Sequence, residues 1–283
     1  MYCDLHAHSN FSDGTFSPEE LIREAERLGL SAVALTDHNT VAGLPDFVAA
    51  GQGSAVEAVP GCEFSTDYQG VELHILGLYI APQHYATVTA LLEKAQQEKE
   101  QSNRNLVAAL KEVGYDLDYA QICSNCQGQI NRAHIAADLV NKGYFATIQE
   151  AFRGPLSAKS GLYVPPKRID AYACIQFIKS IGAVAVLAHP FLSLDEGALR
   201  TFLPQAVMAG LDGMEVAYAK YSPETTATAY AVADDFGLKY SGGSDFHGGN
   251  KPDIALGSGR GNLQIPAEWL QTLKNEHNYQ TRL

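Results

Sequence analysis

The feature that most limits how this chain can fold is a repeated pairing of a short apolar segment with a histidine or carboxylate at its end. The first segment runs into His6-Ala7-His8. Alternate residues of a strand share one face, so His6 and His8 are expected to point the same way. Asp13 follows on a turn that Gly14 permits. Three candidate metal ligands therefore lie near the end of the first strand.

The same pairing continues through the rest of the chain. Further strand-like segments carry His38, Glu63, His74, His189, Asp245 and His247. Helical stretches separate most of them, and the first such stretch begins at Ser17-Pro18 and ends at Gly29. The alternation predicts βα units with a parallel sheet. Polar residues at the strand ends predict one functional face, as in a β/α barrel.

The alternation of strand and helix is interrupted between residues 82 and 161. The stretch from Val88 to Leu110 carries apolar residues at helical spacing, and shorter helices are predicted over residues 119–126 and 132–141. The predicted organisation is a barrel domain of residues 1–81 and 162–283 with a helical insertion of residues 82–161. Such insertions often form lids or substrate domains. A passive structural extension is the alternative.

Composition and charge restrict the partners and the location of the chain. The 283 residues carry a formal net charge of −12. Phosphate contacts need Lys and Arg, so neither a stable nucleic-acid complex nor a membrane partner is expected. Bound cations would still admit an anionic substrate. The chain begins without a signal-peptide pattern, it has no apolar stretch long enough to span a bilayer, and its five cysteines are typical of reduced thiols. A cytoplasmic protein is expected.

The residues at the strand ends form a set of candidate metal ligands, namely His6, His8, Asp13, His38, Glu63, His74, His189, Asp245 and His247. A mononuclear zinc site needs three or four ligands, so this set suits two or three ions with a bridging carboxylate. Imidazole and carboxylate ligands without thiolates favour Mn, with Fe, Zn, Co and Mg as alternatives. Closely spaced ions lower the pKa of bound water and clamp phosphoryl oxygens. The set therefore predicts phosphoester hydrolysis.

These motifs resemble those of the PHP (polymerase and histidinol phosphatase) family. The matching segments cover most of the chain outside the insertion, and they are His6-Ala7-His8-Ser9, Ser12-Asp13-Gly14, Thr36-Asp37-His38, Gly61-Cys62-Glu63, His74-Ile75-Leu76-Gly77, Ala188-His189-Pro190 and Ser244-Asp245-Phe246-His247. The resemblance implies an α/β fold, a distorted (β/α)7 barrel, with a centre of two or three metal ions.

The resemblance also implies how the ligands divide among the metals. One metal would be held by His6, His8, Glu63 and Asp245, and a second by Asp13, His38 and His247. Glu63 would bridge to a third metal held with His74 and His189.

The segment Arg132-Ala133-His134 of the insertion narrows the resemblance to one PHP subgroup. That subgroup hydrolyses the 3'-phosphate of nucleoside 3',5'-bisphosphates, for example to 5'-AMP and phosphate. The implied substrate is a small nucleotide, with short RNA as an alternative. Arg132 is a candidate bidentate phosphate clamp. His134 is a candidate for binding phosphate or for protonating the leaving oxygen as a general acid. The predicted catalytic residues are Arg132, His134 and Asp245. Lys167 and Arg168 are candidates for holding the second phosphate.

Three other functions share the same motifs. A 5'-3' exonuclease on short RNA would need a basic track, which the acidic composition argues against. A histidinol-phosphate-type phosphatase has the same metal motifs but fits the insertion less well. A non-catalytic metal-binding accessory domain is the non-enzymatic alternative, and the complete ligand set argues against it.

Overall fold

The computed structural model describes residues 1–124, 130 and 132–280, and the predicted α/β class is confirmed. The chain divides into two compact units. The first unit comprises residues 1–89 and 169–283, and the second comprises residues 90–168. Cys126, predicted to end a short helix, lies outside the described residues.

The first unit is built on a single sheet. Within the described residues its strands are β1 (Tyr2–Ala7), β2 (Ala32–Leu35), β3 (Glu57–Tyr68), β4 (Val71–Leu78), β5 (Ile169–Asp170), β6 (Val184–Ala188), β7 (Gly213–Tyr218), β8 (Lys239–Gly243) and β9 (Ile265–Pro266). Their order across the sheet is β8-β7-β6-β4-β3-β2-β1-β9, and β5 pairs with β3.

The ends of the sheet meet between β1 and the segment that follows β8. The backbone N–H of Asp245 donates to the carbonyl of His6 at 2.9 Å, and that of His8 donates to the carbonyl of Phe246 at 2.9 Å. Seven strands, from β1 round to β8, thus form a nearly closed barrel. The predicted distorted β/α barrel is confirmed.

Two strands depart from the predicted parallel sheet, and one of them is the two-residue β9, which runs antiparallel to β1. Strand β4 runs antiparallel to both of its neighbours, β3 and β6. The cause is a two-residue turn at Gln69 and Gly70, both with positive φ, which returns the chain at once into a hairpin. A parallel neighbour would require a longer crossover connection. His74 therefore lies within its strand, beside Ser65 and Ala188, rather than after the strand's last residue.

The helices follow the sequence signals closely. They are α1 (Pro18–Leu28), α2 (Leu44–Gly51), α3 (Tyr85–Glu112), α4 (Tyr119–Ser124), α5 (Arg132–Asn141), α6 (Ile148–Arg153), α7 (Ala171–Ser180), α8 (Glu196–Ala209), α9 (Pro223–Asp235) and α10 (Ala267–Gln280). Helix α1 begins with a capping box between Ser17 and Glu20 and ends at Gly29. No helix in the described part of the chain is long and apolar enough to cross a membrane.

Each unit has its own apolar core. In the first unit, buried side chains from the strands pack together, among them Leu5, Val59, Leu76, Val186 and Ile265. In the second unit, the core is formed largely by the helices and includes Leu106, Leu110, Ile122, Ile135 and Leu139. The strands of the first unit supply most of its apolar core. The loops after the strands can therefore carry the polar residues.

Candidate metal centre

All nine predicted metal ligands lie in the first unit, and the structure brings them together. Four overlapping groups each offer ligand atoms that lie within 4.8 Å of one another, and they are His8-Asp13-His38-His247, His6-Glu63-His189, His6-His8-Asp245 and His38-Glu63-His74. Every predicted ligand belongs to at least one group. Residues far apart in sequence therefore meet at one edge of the barrel.

The carboxylate of Glu63 is at the centre of this arrangement and is fully buried. Its Oε1 atom lies 2.6 Å from His74 Nδ1 and 3.0 Å from His189 Nε2. Its Oε2 atom faces three more imidazoles, at 3.1 Å from His6 Nε2, 3.3 Å from His8 Nε2 and 3.0 Å from His38 Nδ1. Both oxygens thus face several imidazoles, as a carboxylate that bridges metal ions would.

A second carboxylate, that of Asp13, lies on the more open side of the centre. Its Oδ1 atom lies 3.2 Å from His247 Nε2 and 3.9 Å from both His8 Nδ1 and His38 Nε2. The side chain of Asp13 is 56% exposed, whereas those of His8 and His247 are buried. The Asp13 edge is therefore where solvent or a substrate would have access to the centre.

The close approach of the imidazoles fits divalent metal ions. The Nε2 atoms of His6 and His8 lie 3.1 Å apart, and both lie near the same oxygen of Glu63. His8 Nδ1 is buried and has no hydrogen-bond partner among the described residues. Buried polar atoms are normally paired, and imidazole with carboxylate is a donor set that transition metals prefer. The residues present fit a polynuclear centre.

The loops at the centre contain strained backbone. Asn39, His189 and Asp245 all have positive φ, at 51°, 25° and 57°. Each follows a strand and lies beside or within the ligand set. Residues other than glycine adopt this region at a cost, and such residues cluster at functional sites.

The charges of the centre shift the pKa values of its side chains. Burial opposes ionisation of Glu63, yet His38, His6 and His74 together hold its pKa well below the usual value. Burial also lowers the pKa of His38, to about 3. Burial also acts to lower the pKa of His74, but the negative charge of Glu63 outweighs burial and raises the pKa of His74 to about 10. The centre thus keeps Glu63 anionic.

Sequence reasoning missed the buried acids that support the ligands. Asp37 accepts hydrogen bonds from the backbone N–H and hydroxyl of Ser9 and from the hydroxyl of Ser12, at 2.7, 2.6 and 2.6 Å. These bonds hold the loop that carries Asp13. Asp4 accepts from the backbone N–H and hydroxyl of Ser244, the residue before Asp245. Asp4 lies within the apolar strand β1, and a carboxylate in such a strand is a sequence signal for a buried supporting residue.

Asp245 and His6 also have partners that sequence reasoning missed. The Oδ2 atom of Asp245 accepts hydrogen bonds from Tyr218 Oη and Lys251 Nζ, both at 2.8 Å. Its Oδ1 atom is left facing His8 Nε2 at 3.2 Å. Glu215, on β7, contacts His6 at 3.0 Å. Nothing local in the sequence marks the pairs with Tyr218 and Glu215, because these residues lie 27 and 209 residues from their partners.

The predicted substrate-binding residues lie in the second unit. The guanidinium of Arg132 packs over the rings of Tyr163 and Phe152, at 4.1 and 5.4 Å from their centroids, and Nη1 donates to the carbonyl of Leu156. Burial and the charge of Lys99 lower the pKa of His134. Lys167 is exposed and Arg168 is partly buried.

Comparison with known proteins decides the family. The model of the PHP domain matches residues 4–157, more than half of the chain. The chain belongs to the PHP family. The resemblance predicted from the motifs is thereby confirmed.

Other PHP-type proteins match across nearly the whole chain. A 5'-3' exoribonuclease of Haemophilus influenzae is 32% identical over 86% of this chain and 89% of its own length. A 3',5'-nucleoside bisphosphate phosphatase of Chromobacterium violaceum is 32% identical over 86% of both chains. A crystal structure of a protein from Bifidobacterium adolescentis, assigned as a metal-dependent phosphoesterase, has a TM-score of 0.75 and 27% identity over 97% of this chain and 96% of its own. The predicted class, a metal-dependent phosphoesterase of the PHP family, is confirmed.

Proposed function

We propose that this PHP protein hydrolyses the 3'-phosphate of nucleoside 3',5'-bisphosphates, using two or three divalent metal ions, with Mn the favoured metal. The observation that carries the proposal is the set of nine side chains gathered around the buried carboxylate of Glu63. Support for the substrate comes from the Chromobacterium phosphatase, which matches this chain over 86% of its length.

When bound, the metal ions would lower the pKa of water and neutralise phosphoryl oxygens. The chain's own part is to hold the ligands in place before substrate arrives. Tyr218 and Lys251 both hold Oδ2 of Asp245, which directs Oδ1 toward His8. Asp37 holds the loop of Asp13 at the open side. Such fixed geometry makes the ligands ready for the transition state without rearrangement.

The proposal assigns recognition of the substrate's phosphates to the second unit. Arg132 offers a planar set of donors suited to a phosphate, even though its Nη1 atom donates to Leu156. His134 would bind phosphate or protonate the leaving oxygen. Lys167 or Arg168 would hold the other phosphate.

The second candidate function is 5'-3' exonuclease activity on short RNA. It is favoured by the Haemophilus exoribonuclease, which is as similar to this chain as the phosphatase is, at 32% identity. The acidic composition, with a formal net charge of −12, favours the small nucleotide.

Phosphate release by the Mn-loaded protein tests the proposal. The substrates are adenosine 3',5'-bisphosphate, 5'-AMP, histidinol phosphate and a short 5'-phosphorylated RNA. The expected result is fast release from the bisphosphate and slow release from 5'-AMP and histidinol phosphate, since these lack the second phosphate. Stepwise release of mononucleotides from the RNA at a higher kcat/KM would make the exonuclease the main activity. Silence on all four substrates would contradict the proposal.

The same assay tests Arg132 through a matched pair of variants. Arg132→Lys keeps the charge but removes the bidentate geometry, so KM for the bisphosphate should rise roughly tenfold. Arg104→Lys is the control, because Arg104 also covers a ring in the second unit, that of Tyr119 at 4.5 Å. Equal effects of the two substitutions would show that Arg132 acts only on the stability of this unit.

A further inference from the structure

Glu215 is a buried carboxylate outside the proposed ligand set, and it contacts two members of that set. It lies on β7 and has no exposed surface. Its Oε1 atom lies 3.0 Å from His6 Nδ1, and its Oε2 atom accepts a hydrogen bond from the backbone N–H of His189 at 2.7 Å. One side chain thus connects a ligand on β1 with a ligand that follows β6.

The contact with His6 keeps a proton on the ring nitrogen that faces Glu215. An ionised carboxylate only accepts hydrogen bonds, so Nδ1 of His6 must donate to Glu215. The other nitrogen, Nε2, faces Glu63 Oε2 at 3.1 Å and Asp245 Oδ1 at 3.8 Å, which is the side on which a metal ion would bind. A neutral imidazole with this arrangement of protons is the form that binds a metal.

The contact with His189 restrains a strained backbone. His189 has φ 25° and ψ 54°, a conformation that residues other than glycine adopt at a cost. Its N–H is held by Glu215, while its ring nitrogen Nε2 lies 3.0 Å from Glu63 Oε1. Release of the N–H would let the backbone relax and turn the imidazole away from Glu63.

We propose that Glu215 is a positioning residue for metal binding that acts on His6 and His189 together. These are two of the three members of the His6-Glu63-His189 group. The group formed by His8, Asp13, His38 and His247 contains neither residue. Loss of Glu215 should therefore weaken one part of the centre and spare the other. This inference rests on the metal centre of the proposed function and adds to it a residue on which one part of that centre depends.

The Glu215→Gln variant tests the inference with little change in volume. An amide has one acceptor oxygen, and its NH2 group would face a donor, so it cannot serve both His6 and His189. The Mn affinity of the site formed by His6, Glu63 and His189 should fall by about 10- to 100-fold, which is the usual effect of losing a residue that supports metal ligands. Titration with Mn followed by electron paramagnetic resonance should show one bound ion fewer per chain at the free Mn concentration that just saturates the wild type. With Mn in excess, kcat should fall while KM stays unchanged.

Two further variants separate positioning from general stability. Glu215→Asp keeps the carboxylate but shortens its reach, so its Mn affinity should lie between those of wild type and Glu215→Gln. Asp212→Asn is the control. Asp212 also holds the backbone of β6, accepting from the N–H of Ala185 at 2.8 Å, and it contacts Lys179 as well. This bond is at the opposite end of β6 from His189, so Mn binding should not change.

Nitrogen-15 spectra of the metal-free protein give a readout that is independent of metal. The Nδ1 atom of His6 should be hydrogen-bonded to Glu215 in wild type, and its signal should shift in Glu215→Gln. Unchanged Mn affinity and an unchanged His6 spectrum in Glu215→Gln would overturn the inference, as would an equal loss of Mn in Asp212→Asn. A wild-type chain that binds no Mn would refute the proposed function, and the His6 spectra would still decide the role of Glu215. If Glu215→Gln does not fold, the same comparisons apply to Glu215→Asp.

Discussion

The Glu63→Gln variant is expected to release phosphate at least about 100-fold more slowly than the wild-type chain. Substitution of residues that only support metal ligands typically costs 10- to 100-fold, and Glu63 is itself the central member of the ligand set. Both carboxylate oxygens of Glu63 face imidazoles. Ring nitrogens of His38, His74 and His189 lie within 3.0 Å of these oxygens. The loss should therefore exceed that of any outer residue.

The physical reason is that glutamine cannot replace a buried anion between imidazoles. The neutral amide offers only one acceptor oxygen. Its NH2 group would point at imidazole nitrogens that bind a metal ion or carry a proton. The negative charge that offsets the metal ions in this buried site would also be lost. Activity and Mn binding should therefore fall together.

The measurement is the initial rate of phosphate release at saturating Mn, with Mn content determined on the same sample. Glu57→Gln is the matched control, because Glu57 begins the strand that also carries Glu63 and contacts Lys274 instead of a ligand. It should keep a rate close to that of wild type. A Glu63→Gln rate within a few fold of wild type would contradict the proposed centre.

Removal of the metals is expected to abolish activity and to lower the melting temperature. A ligand that binds only the folded chain stabilises it by about 2.7 kcal/mol at a free concentration of 100 times Kd. For a domain of this size, that corresponds to a rise in Tm of about 5–10 °C for one site. The nine converging ligand side chains make several such contributions available.

Thermal unfolding of chelator-treated protein, before and after addition of Mn, measures this effect. Titration with Mn should raise Tm in step with recovery of phosphate release. The Glu63→Gln variant should show a much smaller rise, since its central ligand is gone. A wild-type Tm that does not respond to Mn, with full activity in chelator, would show that the centre does not hold functional metals.

The strongly periodic helices could be predicted from sequence almost to the residue, whereas sheet direction could not. Helix α1 begins and ends at its predicted capping residues, and α5 has the predicted bounds of residues 132–141. The direction of β4 depends on a hairpin turn at Gln69, a type of residue that rarely has positive φ. The alternation of strands and helices therefore wrongly predicted a parallel strand here. Strands β5 and β9 have only two residues each, too few for any periodicity to show.

The candidate site likewise has residues that the sequence predicts and residues that it does not. Each proposed ligand lies in a short local motif that could be read from neighbouring residues. Seven of them lie at or near a strand end as predicted, whereas Glu63 and His74 lie within β3 and β4. Most partners of those ligands could not be read in this way, because their contacts join distant segments. Glu215 and His6 are 209 residues apart, and Tyr218 and Asp245 are 27 apart. Such pairs follow only from the order of strands around the barrel.

The most direct test of the central claim is anomalous diffraction from crystals of the Mn-loaded protein. We expect two or three Mn peaks within bonding distance of the nine ligands, with Glu63 contacting more than one peak. Peaks elsewhere on the chain, or none at this cluster in protein that releases phosphate, would contradict it.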